Sequence, residues 1–212
     1  ALSRALTSSG AARTAAISDA LAFRRERQTS FPGASAPEGA DEIREGLAEY
    51  TAVVVAASST ADAIAATVRQ LASSEREASF VRRFHAASGP AYGLLLDAFA
   101  PGWTRRVTAA DDLAQMLTAA AKIEPTRDAA ASAASYRGAE LRAAEEKRDV
   151  ERQARVAGHK ARFVDGPVLV VPRAGSGSGD NTGATVIPGA GTVFRAMANK
   201  GAWGFFDAPG GA

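Results

Sequence analysis

Apolar residues recur at helical spacing through most of the first 160 positions. Ile17, Leu21 and Phe23 fall to one side of a stretch over 13–30 that ends in Arg24, Arg25 and Arg27. Cations there suit a helix C-terminus, so a helix is expected. Pro32 and Gly33 punctuate it, which predicts a loop over 31–40. A second helix is expected over about 41–57. Ile64, Val68 and Leu71 predict a third over about 60–73. Residues 79–100 predict another helix, or a pair broken around Gly89-Pro90. Pro101-Gly102 is a turn. Trp103, Val107, Leu113, Met116 and Leu117 then predict a packed helix ending near Ile123.

From 126 to about 160 the chain is rich in alanine and charge. Glu145, Glu146, Lys147, Arg148, Asp149, Glu151 and Arg152 mix signs densely. The spacing predicts a solvated helix held by pairs three or four residues apart. A nucleic-acid-binding helix is the rival reading, and the interleaved acids argue against it.

The pattern changes at Arg162. Val164 to Pro172 is a β-branched run bounded by turn residues, so a strand is expected. Arg173 to Gly183 reads as a Gly/Ser-rich loop, and Ala184–Ile187, Thr192–Ala196 and Trp203–Phe206 as three short strands. The expected fold is α+β: a mainly helical body over 1–160, then a small antiparallel β unit over 161–212. No internal repeat is visible.

Composition adds limits. The 212 residues are 46% hydrophobic, enough for a real core and against disorder throughout. The formal charge is +2, which is no nucleic-acid footprint. There is no cysteine, so disulfides and thiolate metal sites are excluded. No apolar run is long enough to span a bilayer. The chain starts inside what reads as a helix, with Leu2, Ala5 and Leu6 at helical spacing, and carries no cleavage signature. A fragment of a longer protein, or a mature piece, is expected.

The richest segment for chemistry is R-E-G-L-A-E-Y-T, Arg44 to Thr51. On a regular helix Glu42, Glu45 and Glu49 point roughly one way, with Asp41 four residues before Glu45. Gly46 weakens a helix by about 1 kcal/mol relative to alanine, and close packing, such as around a metal, is a reason to keep it. On the residues alone, the plainer reading is a solvated acidic face at a helix start, favoured by the helix dipole.

The segment resembles the helix that carries the third metal ligand in gluzincin-type zinc metallopeptidases, where a Glu-Gly-x-Ala pattern recurs. Asp19–Arg27, Ser88–Trp103 and Arg162–Pro172 add, in order, a resemblance to an uncharacterised bacterial group of metallopeptidases. It covers most of 17–206, more closely before 110. The resemblance implies a zinc-dependent hydrolase of peptide or protein substrates with Glu45 as a zinc ligand. It also implies a secreted or periplasmic setting. The family's other two ligands and its general base come from H-E-x-x-H. This chain departs there. Its two histidines, His85 and His159, stand far apart, and neither begins that motif. Zinc is therefore expected only if histidines come from sequence ahead of Ala1.

The same peptidases place a tyrosine three residues before a glycine, where its hydroxyl stabilises the oxyanion. The matching position before Gly89 is Ala86, so Tyr92 and His85 become the candidate substitutes. As plainer readings, Tyr92 is a packing residue and His85 an ordinary core or surface histidine. Ser88 and His85 do not suggest serine hydrolysis, because no G-x-S-x-G elbow exists. G-S-G-S-G, Gly175–Gly179, lacks the lysine of a phosphate-binding loop. His159 is a candidate cap for the charged helix, and Trp103 and Trp203 are expected to pack. The expected function is that of a metallopeptidase-like hydrolase fragment. The alternative is a non-catalytic helical binding or structural module.

Overall fold

A computed structural model describes residues 1–77, 84–123, 128–168, 176–179, 183–201 and 204–209. The chain divides into two compact units, Ala1–Arg137 and Gly138–Ala212. The division falls before the long charged helix, whereas the composition of the sequence shifts at Arg162.

The first unit is helical. Its elements are α1 (Leu2–Thr7), α2 (Gly10–Ser30), α3 (Ser35–Asp41), a π-helical turn (Glu42–Gly46), α4 (Leu47–Ala56), α5 (Thr60–Ser74), α6 (Phe84–Phe99), α7 (Leu113–Ala121) and α8 (Ala129–Ala133). Short 3-10 turns lie at Pro32–Ala34, Trp103–Arg105 and Ala134–Tyr136. Two caps show how sequence sets the ends. Ser59 accepts the Asp62 amide at 3.2 Å ahead of α5, and Asp112 accepts the Gln115 amide at 2.9 Å ahead of α7. Lys122 closes α7 in the left-handed region, φ 52°.

The centre of this unit is α6. Eleven of its residues are buried, and it packs on α1, the π-helical turn, α4, α5 and α7. The core joins Leu6, Ile17, Tyr50, Leu95, Leu96, Trp103, Leu113 and Leu117. Gly89-Pro90 does not break the helix. An interior proline costs about 3 kcal/mol, because the carbonyl one turn earlier loses its donor. Burial of this face against five neighbouring elements offsets that cost.

The stretch over 31–40 is not the loop its Pro-Gly pair predicts. It is the 3-10 turn followed by α3, although α3 itself contains Pro37 and Gly39. Pro37 sits in the first turn of α3, where its missing N–H costs nothing. The helix expected from Trp103 to Ile123 is also interrupted. A 3-10 turn at Trp103–Arg105 gives way to non-helical chain before α7 begins.

The second unit begins with α9 (Gly138–Phe163), entered through Arg137 at φ 57°. No residue of α9 is buried. Exposed pairs such as Glu145–Arg148 and Asp149–Arg152 support its middle. Among the described residues five short strands follow: β1 (Ser176–Gly179), β2 (Thr185–Ile187), β3 (Gly191–Val193), β4 (Ala196–Gly201) and β5 (Gly204–Pro209). They form two antiparallel sheets, one ordered β1-β4-β5 and one the hairpin β2-β3. In the hairpin Thr185 faces Val193 and Ile187 faces Gly191. Pro188 presets its own φ and Gly189 adopts φ 76°, the chemistry of a type II turn. The α+β class is as the periodicities indicate, a mainly helical chain with small antiparallel sheets near its C-terminus. The strand expected from Val164 is not seen over 164–168, where the chain turns at the end of α9, and 169–172 lie outside the described residues. Strand β1 lies inside the stretch expected to be a loop.

Candidate functional site

The π-helical turn decides where the acidic residues of the second predicted helix go. Its wider turn carries the Leu47 amide to the Glu42 carbonyl, five residues back. Glu42, Gly46 and Tyr50 consequently share the inward face, and Glu45 and Glu49 are exposed. The three glutamates do not point one way, because the extra residue in the turn alters the register of a regular helix.

Glu42 is completely buried. Its Oε1 accepts from Arg24 Nη1 at 2.8 Å and from Ser88 Oγ at 2.7 Å. Its Oε2 lies 2.8 Å from Arg24 Nη1, but off the line of the N–H, so it accepts no hydrogen bond there. The other arm of the Arg24 fork, Nη2, donates to Asp112 Oδ2 at 3.0 Å. Four separate elements thus join in one polar cluster around the Arg24–Glu42 pair: α2, the π-helical turn, α6 and the N-cap of α7. Burial pushes the Glu42 carboxyl above the usual carboxylate range, against the pull of Arg24 and Ser88. For Arg24, burial alone would lower the pKa. Its neighbours, the phenol oxygen of Tyr92 and the carboxyls of Glu42 and Asp112, more than offset it, and the guanidinium stays charged.

Beside this cluster is a cavity of about 300 Å³, lined on its polar side by Arg24, Arg27, Glu38, Glu42, Ser88 and Tyr92. Phe23, Leu71 and Phe84 supply apolar wall. Arg27 pairs with Glu38 at its edge. Tyr92 is 3% exposed, and the Arg24 guanidinium lies 5.6 Å from its ring centroid. Burial raises its hydroxyl above the ordinary phenol range, so it keeps its proton as a neutral donor.

The other sequence candidates lie apart from this cavity. Glu45 is 50% exposed at its side chain, and Arg44 Nε donates to it at 2.9 Å. Arg44 also reaches Asp41 at 2.7 Å. His85 does not line the cavity. Its ring meets Phe84 edge-on at 5.7 Å, and its Nδ1 is buried with no hydrogen-bond partner among the described residues. Tyr92 and His85 are therefore on one helix but do not share a pocket.

Gly46 does have a packing reason. A Cβ on it would lie 3.1 Å from Gly89 Cα and 3.2 Å from the His85 carbonyl oxygen. One on Gly89 would lie 2.4 Å from Gly46 Cα, and one on Gly93 would lie 2.3 Å from the Tyr50 ring. The two helices cross almost backbone to backbone. One turn beyond, the Tyr50 hydroxyl donates to Asp97 at 2.9 Å, and Trp103 Nε1 donates to the same carboxylate at 2.9 Å.

A catalytic zinc takes three protein donors gathered in one place. Among the described residues no three His, Asp or Glu side chains gather as a metal would require. Glu45 is one exposed carboxylate, and Glu42 is committed to Arg24 and Ser88. The donors gathered among the described residues do not make a three-ligand zinc site. The Arg24–Glu42–Asp112 constellation escaped sequence reasoning because its members are up to 88 positions apart. The one local signal was Gly46, whose close approach to α6 forces the residue one turn earlier inward. Neither a protein-family model, nor a curated protein, nor a solved structure matches this chain.

Proposed function

We propose that this chain is the carboxylate-contributing part of a zinc-dependent metallopeptidase-like hydrolase, with Glu45 as third metal ligand. Residues other than these 212 would supply the H-E-x-x-H pair. The observation that supports this reading is the bracing of Glu45. Its backbone neighbour Gly46 is clamped on Gly89, and Glu42 anchors the same turn from inside. The Glu45 carboxylate therefore stands outward from a rigid backbone, as a ligand awaiting partners should. The resemblance of Arg44–Thr51 names the partners; the geometry supports only the positioning.

The test is zinc content. The full-length gene product should carry about one zinc per chain by mass spectrometry, and Glu45→Gln should lose it together with peptide hydrolysis. The 212 residues alone should hold none through dialysis. A full-length product without zinc, or a Glu45→Gln variant that keeps it, sinks the proposal. The second reading, a non-catalytic helical binding module, is favoured by the cavity next to Glu42, which lies away from Glu45 and needs no metal. A metal-free product that binds small amphipathic molecules there would support it.

A further inference from the structure

The interleaved charges of α9 separate along its length once the helix is built. In the first half, Glu145 takes up Arg148 and Asp149 takes up Arg152. In the second half, Arg152, Arg155, His159 and Arg162 are spaced three, four and three apart, so they fall on one face. That face borders two adjoining hollows within the second unit. The larger, about 690 Å³, is lined by Arg152, Arg155, His159 and Arg195 along with the start of the β2-β3 hairpin. The smaller, about 260 Å³, shares His159 and Arg195 and adds Arg162. Among the described residues no carboxylate lines either hollow.

The guanidiniums are differently committed. Arg152 is paired with Asp149, and Arg162 lies 4.9 Å from the Phe163 ring. Arg155 and Arg195 have no carboxylate partner among the described residues. His159 stacks on Phe163, with ring centroids 5.9 Å apart and planes 28° apart. Arg155 and Arg195, brought to one concavity with no carboxylate among its described lining residues, give it a positive potential, and a concave wall focuses it. Guanidinium forks match phosphate oxygens two at a time, which lysines do not. The hollow is of the volume that small ligands occupy rather than an extended groove.

We propose that the hollow between the second half of α9 and the β2-β3 hairpin binds a small ligand carrying two or more phosphate groups. Arg155 and Arg195 are its principal contacts, and His159 and Arg162 flank them. The site is independent of Glu45 and of any zinc chemistry.

Titration calorimetry on the full chain with pyrophosphate, at low salt, tests this. One pyrophosphate should bind per chain, and Arg155→Gln and Arg195→Gln should each weaken it tenfold or more. Arg148→Gln, on the same helix but outside both hollows, should stay within twofold of wild type. Circular dichroism should show all three variants folded, as expected for exposed side chains. A nucleoside diphosphate should compete with pyrophosphate whether or not its base adds affinity. No pyrophosphate binding, or equal losses at 148, 155 and 195, overturns the proposal. So does tight binding of duplex DNA that pyrophosphate fails to displace.

Discussion

Helices α6 and α9 are held in opposite ways. The shorter, α6, contains two glycines and a proline, residues that isolated helices avoid, and buries eleven of its sixteen positions. The longer, α9, is built mostly from Ala, Glu, Arg and Lys, and buries none of its twenty-six. Tertiary packing makes α6 a helix; its own sequence makes α9 one. The same substitution should therefore have opposite consequences in the two, and charge should matter far more where it is buried.

The largest effect is expected at the buried fork. Arg24→Met leaves the fully buried Glu42 without its cation, and should cost about 3–5 kcal/mol in urea unfolding at neutral pH. A cost below 1 kcal/mol would show the pair to be solvated. Gly89→Ala comes next. Its methyl meets backbone rather than a movable side chain, so about 1–3 kcal/mol should be lost.

The third effect is a pH slope. The Glu42 carboxyl is raised in the folded protein, so the folded chain holds a proton that the unfolded chain has released. The stability this group contributes is full below the ordinary carboxylate value of 4.5 and is lost as pH rises through the raised one. Glu42→Gln removes that dependence, at most about 1.4 kcal/mol per pH unit. The difference between the variant and wild type should move in the variant's favour as pH climbs from 4.5. A difference that does not change with pH would mean that Glu42 titrates as an ordinary carboxylate.

In α9 the signs reverse and the sizes shrink. A Cβ at Gly158 meets nothing within 4 Å, so Gly158→Ala should stabilise the helix by about 0.5–1 kcal/mol. If Gly158→Ala and Gly89→Ala both destabilise, the contrast between the helices is wrong. Smallest is Glu145→Ala, which removes an exposed pair with Arg148 and should change stability by less than about 0.5 kcal/mol.

The same contrast explains what could be read from the chain. Period and propensity agree in α2, α5 and α9, and those helices are legible. They conflict at Pro37 and at Gly89-Pro90, where packing decides: the expected loop is absent, and of the two readings left open around Gly89-Pro90 the unbroken helix is the one seen. The orientation of Glu42 was hidden by one extra residue in a turn, which no local pattern of E-I-R-E-G announces. Arg24, Ser88 and Asp112 look like ordinary polar residues until the fold brings them together. Glu45 was visible because a motif marks it, and its exposure is the opposite of the burial that marks its neighbour.

The hydroxyls of Ser132 and Tyr136 both donate to the buried Asp19 at 2.8 Å, across more than a hundred positions. That span fixes where the polypeptide can be dissected. A scission after Arg137 keeps Asp19 with both donors and leaves Arg24 with Glu42 and Asp112 on the same piece. Trimming even two residues further back removes Tyr136, leaving a carboxylate in the interior with one hydroxyl fewer. For expression of the helical unit by itself, Tyr136 is thus the earliest permissible end.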